Sequence, residues 1–146
     1  FMPCTPKSVV TILNSLNINL EGMNVVVIGR SNIVGKPVGA LLLKENCTVT
    51  MCHSKTKNLR EVCKRSDILV VAIGKAKFID DSFVKEGAIV IDVGTNSVQG
   101  KITGDVDFDK VIDKASFVTP VPGGVGALTT TLLMKNACEA IEKYED

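Results

Sequence analysis

Metal-ligating residues are sparse in this chain of 146 residues: His53 is its one histidine, and its five cysteines (Cys4, Cys47, Cys52, Cys63, Cys138) include no CxxC pair. This usage predicts no metal site and points to reduced thiols in a cytosol-like, cytoplasmic setting. Charge of one sign is also lacking. Lys and Arg total 17 against 16 Asp and Glu, a net charge of +1, and no run of like charges occurs. Neither nucleic acid nor an anionic membrane is therefore an expected partner. No apolar stretch approaches the ~20 residues that cross a bilayer. No signal-peptide pattern precedes the first strand. Repeats and low-complexity segments are absent as well. One feature of the start is unusual: Phe1 stands ahead of Met2. A natural chain begins at its Met, so upstream sequence is expected and the chain reads as a fragment.

What is present is an ordinary globular composition, 45% apolar and 23% charged, at the size of one domain. Asn24–Ile28 is a short β-branched run ending at Gly29, and Cys47–Cys52 is a second strand-like run. Between them Ile33–Lys44 carries apolar residues at helical spacing, which makes a βαβ unit. The alternation then repeats. Leu59–Lys64 reads as a short helix, Asp67–Ile73 as a strand ending at Gly74, Asp81–Lys85 as a helical turn and Ala88–Val93 as a strand ending at Gly94. Continuous apolar strands are those covered on both faces, so the expectation is an α/β fold with a doubly wound parallel sheet.

Both ends read as helices. Thr5 is placed as an N-cap with Pro6 at the first helical position, followed by Val9, Val10, Ile12, Leu13 and Leu16. The second helix runs from about Gly126 through Leu128, Leu132, Leu133, Ala137 and Ile141. Gln99-Gly100-Lys101, between Val98 and Ile102, reads as a hairpin turn.

Four segments carry the chemistry. The turn Gly29-Arg30-Ser31-Asn32-Ile33-Val34-Gly35 lies between first strand and helix, where backbone N–H groups and the helix dipole favour a pyrophosphate. Its spacing is not G-x-G-x-x-G, and glycines at such a turn also serve steric ends. At the close of strand two, Cys52-His53-Ser54-Lys55-Thr56 contains no carboxylate to meet a ribose 2′-hydroxyl. Ser54, Lys55 and Arg30 can instead surround a 2′-phosphate, which favours NADP over NAD. Ser54 and Lys55 can equally cap the following loop, and His53 reads more readily as a structural histidine than as a base. Gly74 and Gly94-Thr95-Asn96 follow strands three and four, at the edge where ligands of such sheets bind. Finally, Thr119-Pro120-Val121-Pro122-Gly123-Gly124-Val125-Gly126 is a loop stiff at one end and able to approach a flat ring at the other; it also reads as a hinge.

Taken in order, these segments resemble the C-terminal, Rossmann-like cofactor domain of the bifunctional methylenetetrahydrofolate dehydrogenase/methenyltetrahydrofolate cyclohydrolase family. The matching motifs are Pro3-Cys4-Thr5-Pro6, Gly29-Arg30-Ser31 with Val34-Gly35-Lys36-Pro37, Cys52-His53-Ser54-Lys55-Thr56, Asp92-Val93-Gly94, Gly104-Asp105-Val106-Asp107-Phe108 and Thr119 to Gly126. The resemblance implies a single NADP-binding domain over residues 1–146. With the strand-end reading, its expected cofactor contacts are Gly29, Arg30, Ser31, Val34, His53, Ser54, Gly74, Thr95 and Gly126. Pro122, Gly123 and Gly124 are expected to line the cleft near the nicotinamide and the pterin.

The resemblance further implies oxidation of 5,10-methylenetetrahydrofolate to the methenyl compound, its hydrolysis to 10-formyltetrahydrofolate, a role in purine biosynthesis, and a homodimer formed partly through the hairpin around Val98 to Thr103. The chain departs from the family pattern at Thr95, where a bulky aliphatic residue is usual, at Ala127-Leu128, where Pro-Met is common, and in a shorter hairpin. The family's Tyr-x-x-x-Lys motif belongs to an N-terminal folate-binding domain. Tyr144 is the one tyrosine here and lies outside any such motif, so no catalytic residue is assigned and the chain alone is expected to be inactive. Two other readings stay open on the residues: the cofactor domain of a different two-domain NADP dehydrogenase, and a nucleotide-binding module without catalysis.

Overall fold

The computed structural model describes residues 4–144. In chain order the elements are α1 (Cys4–Ser15), β1 (Asn24–Ile28), α2 (Gly35–Lys44), β2 (Thr48–Cys52), α3 (Leu59–Lys64), β3 (Ile68–Val71), a 3-10 turn (Asp81–Phe83), β4 (Ile89–Asp92), β5 (Asn96–Val98), β6 (Lys101–Thr103), α4 (Phe108–Val111), β7 (Phe117–Val118) and α5 (Val125–Tyr144). Five strands form one parallel sheet in the order β2-β1-β3-β4-β7. β5 and β6 form a separate antiparallel hairpin.

The pleat explains why the strands carry unbroken apolar runs. Val25, Val27, Ile68, Val70, Ile89 and Ile91 point to one face, where they meet Val9 and Leu13 of α1, Val38 and Leu42 of α2 and Val125 of α5. Val26, Ile28, Leu69, Val71 and Val90 point to the other, against Cys63, Phe83 and Val111. Both faces are thus covered, which makes the sheet doubly wound. The order reverses between β1 and β3: the chain moves outward from β1 to β2, then returns to β3 on the far side of β1. A crevice opens at such a point, beyond the carboxyl ends of the strands.

Several boundaries differ from expectation. α1 starts at Cys4, so Thr5 lies inside its first turn and is not its cap. Pro6 is still acceptable there, because first-turn N–H groups need no helical partner. Pro3 lies outside the described residues. On α5 the expected buried stripe holds only in part: Leu132 is buried and Leu128 half-buried, but Leu133 is 60% exposed and Ala137 is exposed too. Adjacent residues on a helix stand ~100° apart, and the packed side of α5 takes in Leu132 and leaves Leu133 outside it. The side chain of Ile141 is outside the described set. α4 and β7 went unread, since four and two residues are too few to show a period. The hairpin turn is as expected, with Gln99 and Gly100 both at positive φ (51° and 78°), the geometry of a two-residue hairpin loop.

Among the described residues Cys47, Cys52, Cys63 and Cys138 are free thiols, and no group of His, Cys, Asp and Glu is placed to hold a metal. Burial pushes the Cys63 thiol up to about 12, with the nearby Cys52 adding to the rise, so it is inert as a nucleophile. No described helix is long and apolar enough to cross a membrane.

Candidate dinucleotide site

Of the clefts that the described residues line at the carboxyl edge of the sheet, two bring expected site residues together. The first, of about 350 Å³, lies over the switch between β1 and β3. Its floor is Ile28, Gly29 and Ala72; Leu59, Ile73 and Phe78 supply apolar wall, and Arg30, His53, Ser54, Thr56 and Lys75 supply polar groups. The second, of about 300 Å³, lies beyond β4. Asp92, Gly94 and Thr95 form one side and the loop Pro120 to Gly124 with Gly126, Ala127 and Thr130 of α5 forms the other.

The first cleft depends on close backbone approach. Gly29 has φ +121°, and a Cβ there would run into the Ala72 carbonyl oxygen; a Cβ on Gly35 would meet the backbone of Gly29. The turn after β1 is therefore pressed between the end of β3 and the start of α2, a packing that only glycine permits. Ser31 completes this turn. Its Oγ accepts from the N–H groups of Val34 (3.1 Å) and Gly35 (3.3 Å), and its carbonyl accepts from Lys36 N–H (3.0 Å). The hydroxyl thus occupies donors that the sequence reading assigned to a pyrophosphate. Residues Arg30 to Ile33 are exposed beside it.

His53 is held rigidly: its N–H donates to Thr56 Oγ1 (2.8 Å) and its Nδ1 accepts from Lys55 N–H (3.1 Å). These bonds fix the ring at the wall of the first cleft. Ser54 is carried on the same turn and is exposed. Lys75 places its ammonium 5.3 Å from the Phe78 ring centre. Among the described residues no carboxylate lines this cleft. Two cations, a free hydroxyl and apolar walls suit a flat base attached to an anion.

The second cleft is held by buried carboxylates. Asp92, only 3% exposed, ends β4 where the apolar run stops. Its Oδ1 accepts from the N–H groups of Gly94 (3.0 Å) and Asp105 (3.1 Å), and its Oδ2 from Val106 N–H (3.0 Å). Its own N–H donates to Thr119 Oγ1 (2.8 Å), which anchors the following loop. Burial raises the Asp92 carboxyl to about 6, against the lowering pull of those three amides; the neighbouring Asp105 charge adds to the rise. Gly94 and Gly104 fit because they have no side chain: a Cβ on Gly94 would strike the Asp105 carboxylate, and one on Gly104 the Asp92 carboxylate. Each aspartate is packed against the glycine beside the other.

The Val121-Pro122 peptide is cis, and Gly123 follows at φ +102°. Cβ atoms added at Gly123 and Gly126 would meet nothing within 4 Å, so these positions present open backbone toward the second cleft.

The structure thus brings Gly29, Arg30, His53 and Ser54 together in the first cleft. It brings Thr95, Pro122, Gly123, Gly124 and Gly126 together in the second. Ser31 and Val34 line neither: Ser31 caps α2, and Val34 packs toward the core. Gly74 is exposed at φ +70° and lines neither cleft. Sequence reading overlooked Lys75 and Phe78 as cleft residues and gave Asp92 and Asp105 no role of their own. The available signal was an aspartate ending an otherwise apolar run, Ile89-Val90-Ile91-Asp92.

The model of the tetrahydrofolate dehydrogenase/cyclohydrolase NAD(P)-binding domain family matches residues 3–145. The chain belongs to that family. It is 75% identical over 146 residues to the bifunctional protein FolD of Clostridium botulinum, covering all of this chain and 52% of that one. It therefore spans about half the length of the curated relatives it matches. Among solved structures, the bifunctional FolD dehydrogenase/cyclohydrolase of Campylobacter jejuni superposes with a TM-score of 0.94 at 46% identity, over 98% of this chain and 51% of that one. The Trypanosoma brucei FolD enzyme, solved with NADP and an inhibitor, superposes with a TM-score of 0.91 at 38% identity, over 98% of this chain and 51% of that one.

Proposed function

We propose that this domain holds NADP across both clefts, as the cofactor half of a methylenetetrahydrofolate dehydrogenase/methenyltetrahydrofolate cyclohydrolase. The observation that carries the reading is the lining of the first cleft, where Arg30, Lys75 and Ser54 surround an apolar slot with no carboxylate among the described residues. Adenine fits between Leu59, Ile73 and Phe78, with the 2′-phosphate at Arg30 and Ser54. A forked guanidinium suits that phosphate, and an acid in its place would repel it. Ser31 and Val34 shape the turn that the pyrophosphate crosses. Gly74 and Thr95 lie along its path, and the nicotinamide reaches the open backbone at Gly126. The NADP bound by the Trypanosoma relative supports this choice of cofactor.

In this reading Pro122, Gly123 and Gly124 border the pterin of a tetrahydrofolate substrate shared with an N-terminal domain. The nicotinamide supplies the hydride acceptor for oxidation of 5,10-methylenetetrahydrofolate, and hydrolysis of the methenyl product gives 10-formyltetrahydrofolate. This domain fixes the plane and position of the ring, which converts an encounter into an oriented reaction. A homodimer formed through the hairpin accounts for the exposure of Val98 (46%) and Ile102 (53%). Residence in the cytoplasm fits the free thiols, and the formyl product suits purine biosynthesis.

The test separates binding from chemistry. The chain alone should bind NADP but form no NADPH from methylenetetrahydrofolate. A fusion to the N-terminal half of the Clostridium botulinum relative should form it. Turnover by the chain alone, or none by a folded fusion, contradicts the reading.

A further inference from the structure

Asp105 lies outside both cleft linings and is completely buried. Its carboxylate nevertheless accepts four hydrogen bonds from two separate segments. Oδ2 takes the N–H groups of Ile73 (2.8 Å) and Gly74 (3.1 Å). Oδ1 takes the Lys75 N–H (2.9 Å) and the Asn96 side-chain amide (2.9 Å). Three successive backbone N–H groups thus wrap one carboxylate, an anion-binding nest occupied by the protein's own charge. The loop after β3 is held with its amides turned inward, while Ile73 and Lys75 present their side chains to the first cleft.

The other bonds lead to the second cleft. Asn96 follows Thr95 and also donates to the Thr103 carbonyl (3.3 Å), closing the base of the hairpin. The Asp105 N–H donates to Asp92 Oδ1, the oxygen that also takes Gly94 N–H. An unbroken path of hydrogen bonds therefore runs from Lys75 through Asp105 and Asp92 to Gly94. We propose that Asp105 is a positioning residue that joins the two clefts into one dinucleotide site. The proposal rests on the reading that a single dinucleotide spans both clefts.

Asp105→Asn is the informative change. Each oxygen accepts two N–H donors, so the asparagine NH2 must face donors whichever way it turns. One pair of bonds is lost at almost constant volume. Amide hydrogen exchange on the whole chain reads the result. Without ligand, exchange should quicken roughly tenfold or more at both 73–75 and 94–96, while amides 25–28 of β1 stay protected. Faster exchange confined to one segment, or an equal rise throughout β1, overturns the proposal.

Should Asp105→Asn not fold, Asn96→Ala removes one of the four donors to Asp105 together with the bond to the Thr103 carbonyl, and the nucleotide readout below then decides the matter. It should quicken exchange at 94–103 and leave 73–75 slow; unchanged exchange at 94–103 overturns the link. Adenosine 2′,5′-diphosphate, which fills only the first cleft, adds a readout that stability alone does not move. In the parent chain its protection should spread to 94–96; the spread should be lost in Asp105→Asn and weakened in Asn96→Ala, which keeps the bonds from Asp105 through Asp92 to Gly94. Protection reaching 94–96 equally in parent and variants contradicts the coupling. If the parent binds neither this nucleotide nor NADP, the cofactor reading fails, and the ligand-free exchange still decides the role of Asp105.

Discussion

The two clefts share one sheet edge but are built in different ways. The first is a gap between strand ends, walled by side chains that reach out from the turns after β1, β2 and β3. Its one severe demand is backbone contact at Gly29. The second has almost no strand floor. Loops and a helix start enclose it, held from beneath by Asp92 and Asp105 and by the glycines packed on them. Function at the first is therefore set by what the side chains are. At the second it is set by how buried charges hold the backbone.

The largest effect should come from the point on which the first cleft depends. Gly29→Ala forces a Cβ into the Ala72 carbonyl at φ +121°. We expect a loss of roughly 3 kcal/mol or more in urea unfolding, together with loss of nucleotide binding. A stable, binding variant would show that the turn is looser than described.

The second prediction concerns the carboxylates beneath the other cleft. Asp92 has its pKa raised on folding to about 6, so the folded state binds its proton more tightly than the unfolded chain does. The stability this carboxyl contributes is complete below its ordinary range near pH 4. It is lost as pH rises through 6, by on the order of 3 kcal/mol. Urea unfolding of the parent from pH 4 to 8 should show that fall, and Asp92→Asn should flatten it. Parallel profiles would assign the titration to another group.

A smaller and more selective change is expected at the first cleft. Arg30→Ala should weaken NADP by roughly tenfold, about 1.4 kcal/mol, and leave NAD nearly unchanged. Calorimetric titrations with both nucleotides read the difference directly; equal losses for the two would place Arg30 at the pyrophosphate instead. The smallest effect belongs to the opposite edge of the sheet. Lys85 Nζ pairs with Asp67 Oδ1 at 2.8 Å, and both side chains are partly exposed. Lys85→Ala should cost less than about 1 kcal/mol in stability and leave nucleotide affinity unchanged.

The same contrast governs what could be read in the sequence. β1 and α3 were legible to the residue because a β-branched run ending at glycine and an apolar helical spacing are local signals. The residues of the first cleft follow from strand ends and were legible for the same reason: Arg30, His53 and Ser54 stand directly after β1 and β2. Lys75 and Phe78 were missed because they belong to an irregular loop whose course is set by Asp105, 30 positions from Lys75 in the chain. The sequence places Ser31 at a phosphate; its Oγ also accepts from the N–H groups that open α2, a local bond that sequence does not reveal and that leaves the O–H able to donate. Asp92 and Asp105 gain meaning only when two Asp-Gly segments interlock. β7 is recognisable only through its register against Ile89 and Val90.

The central claim is that the first cleft recognises a 2′-phosphate, and calorimetric titration of the whole chain with NADP and NAD under identical conditions tests it most directly. NADP should bind at least about tenfold more tightly, as one added charge-assisted contact requires. Equal affinities, or a preference for NAD, would contradict it.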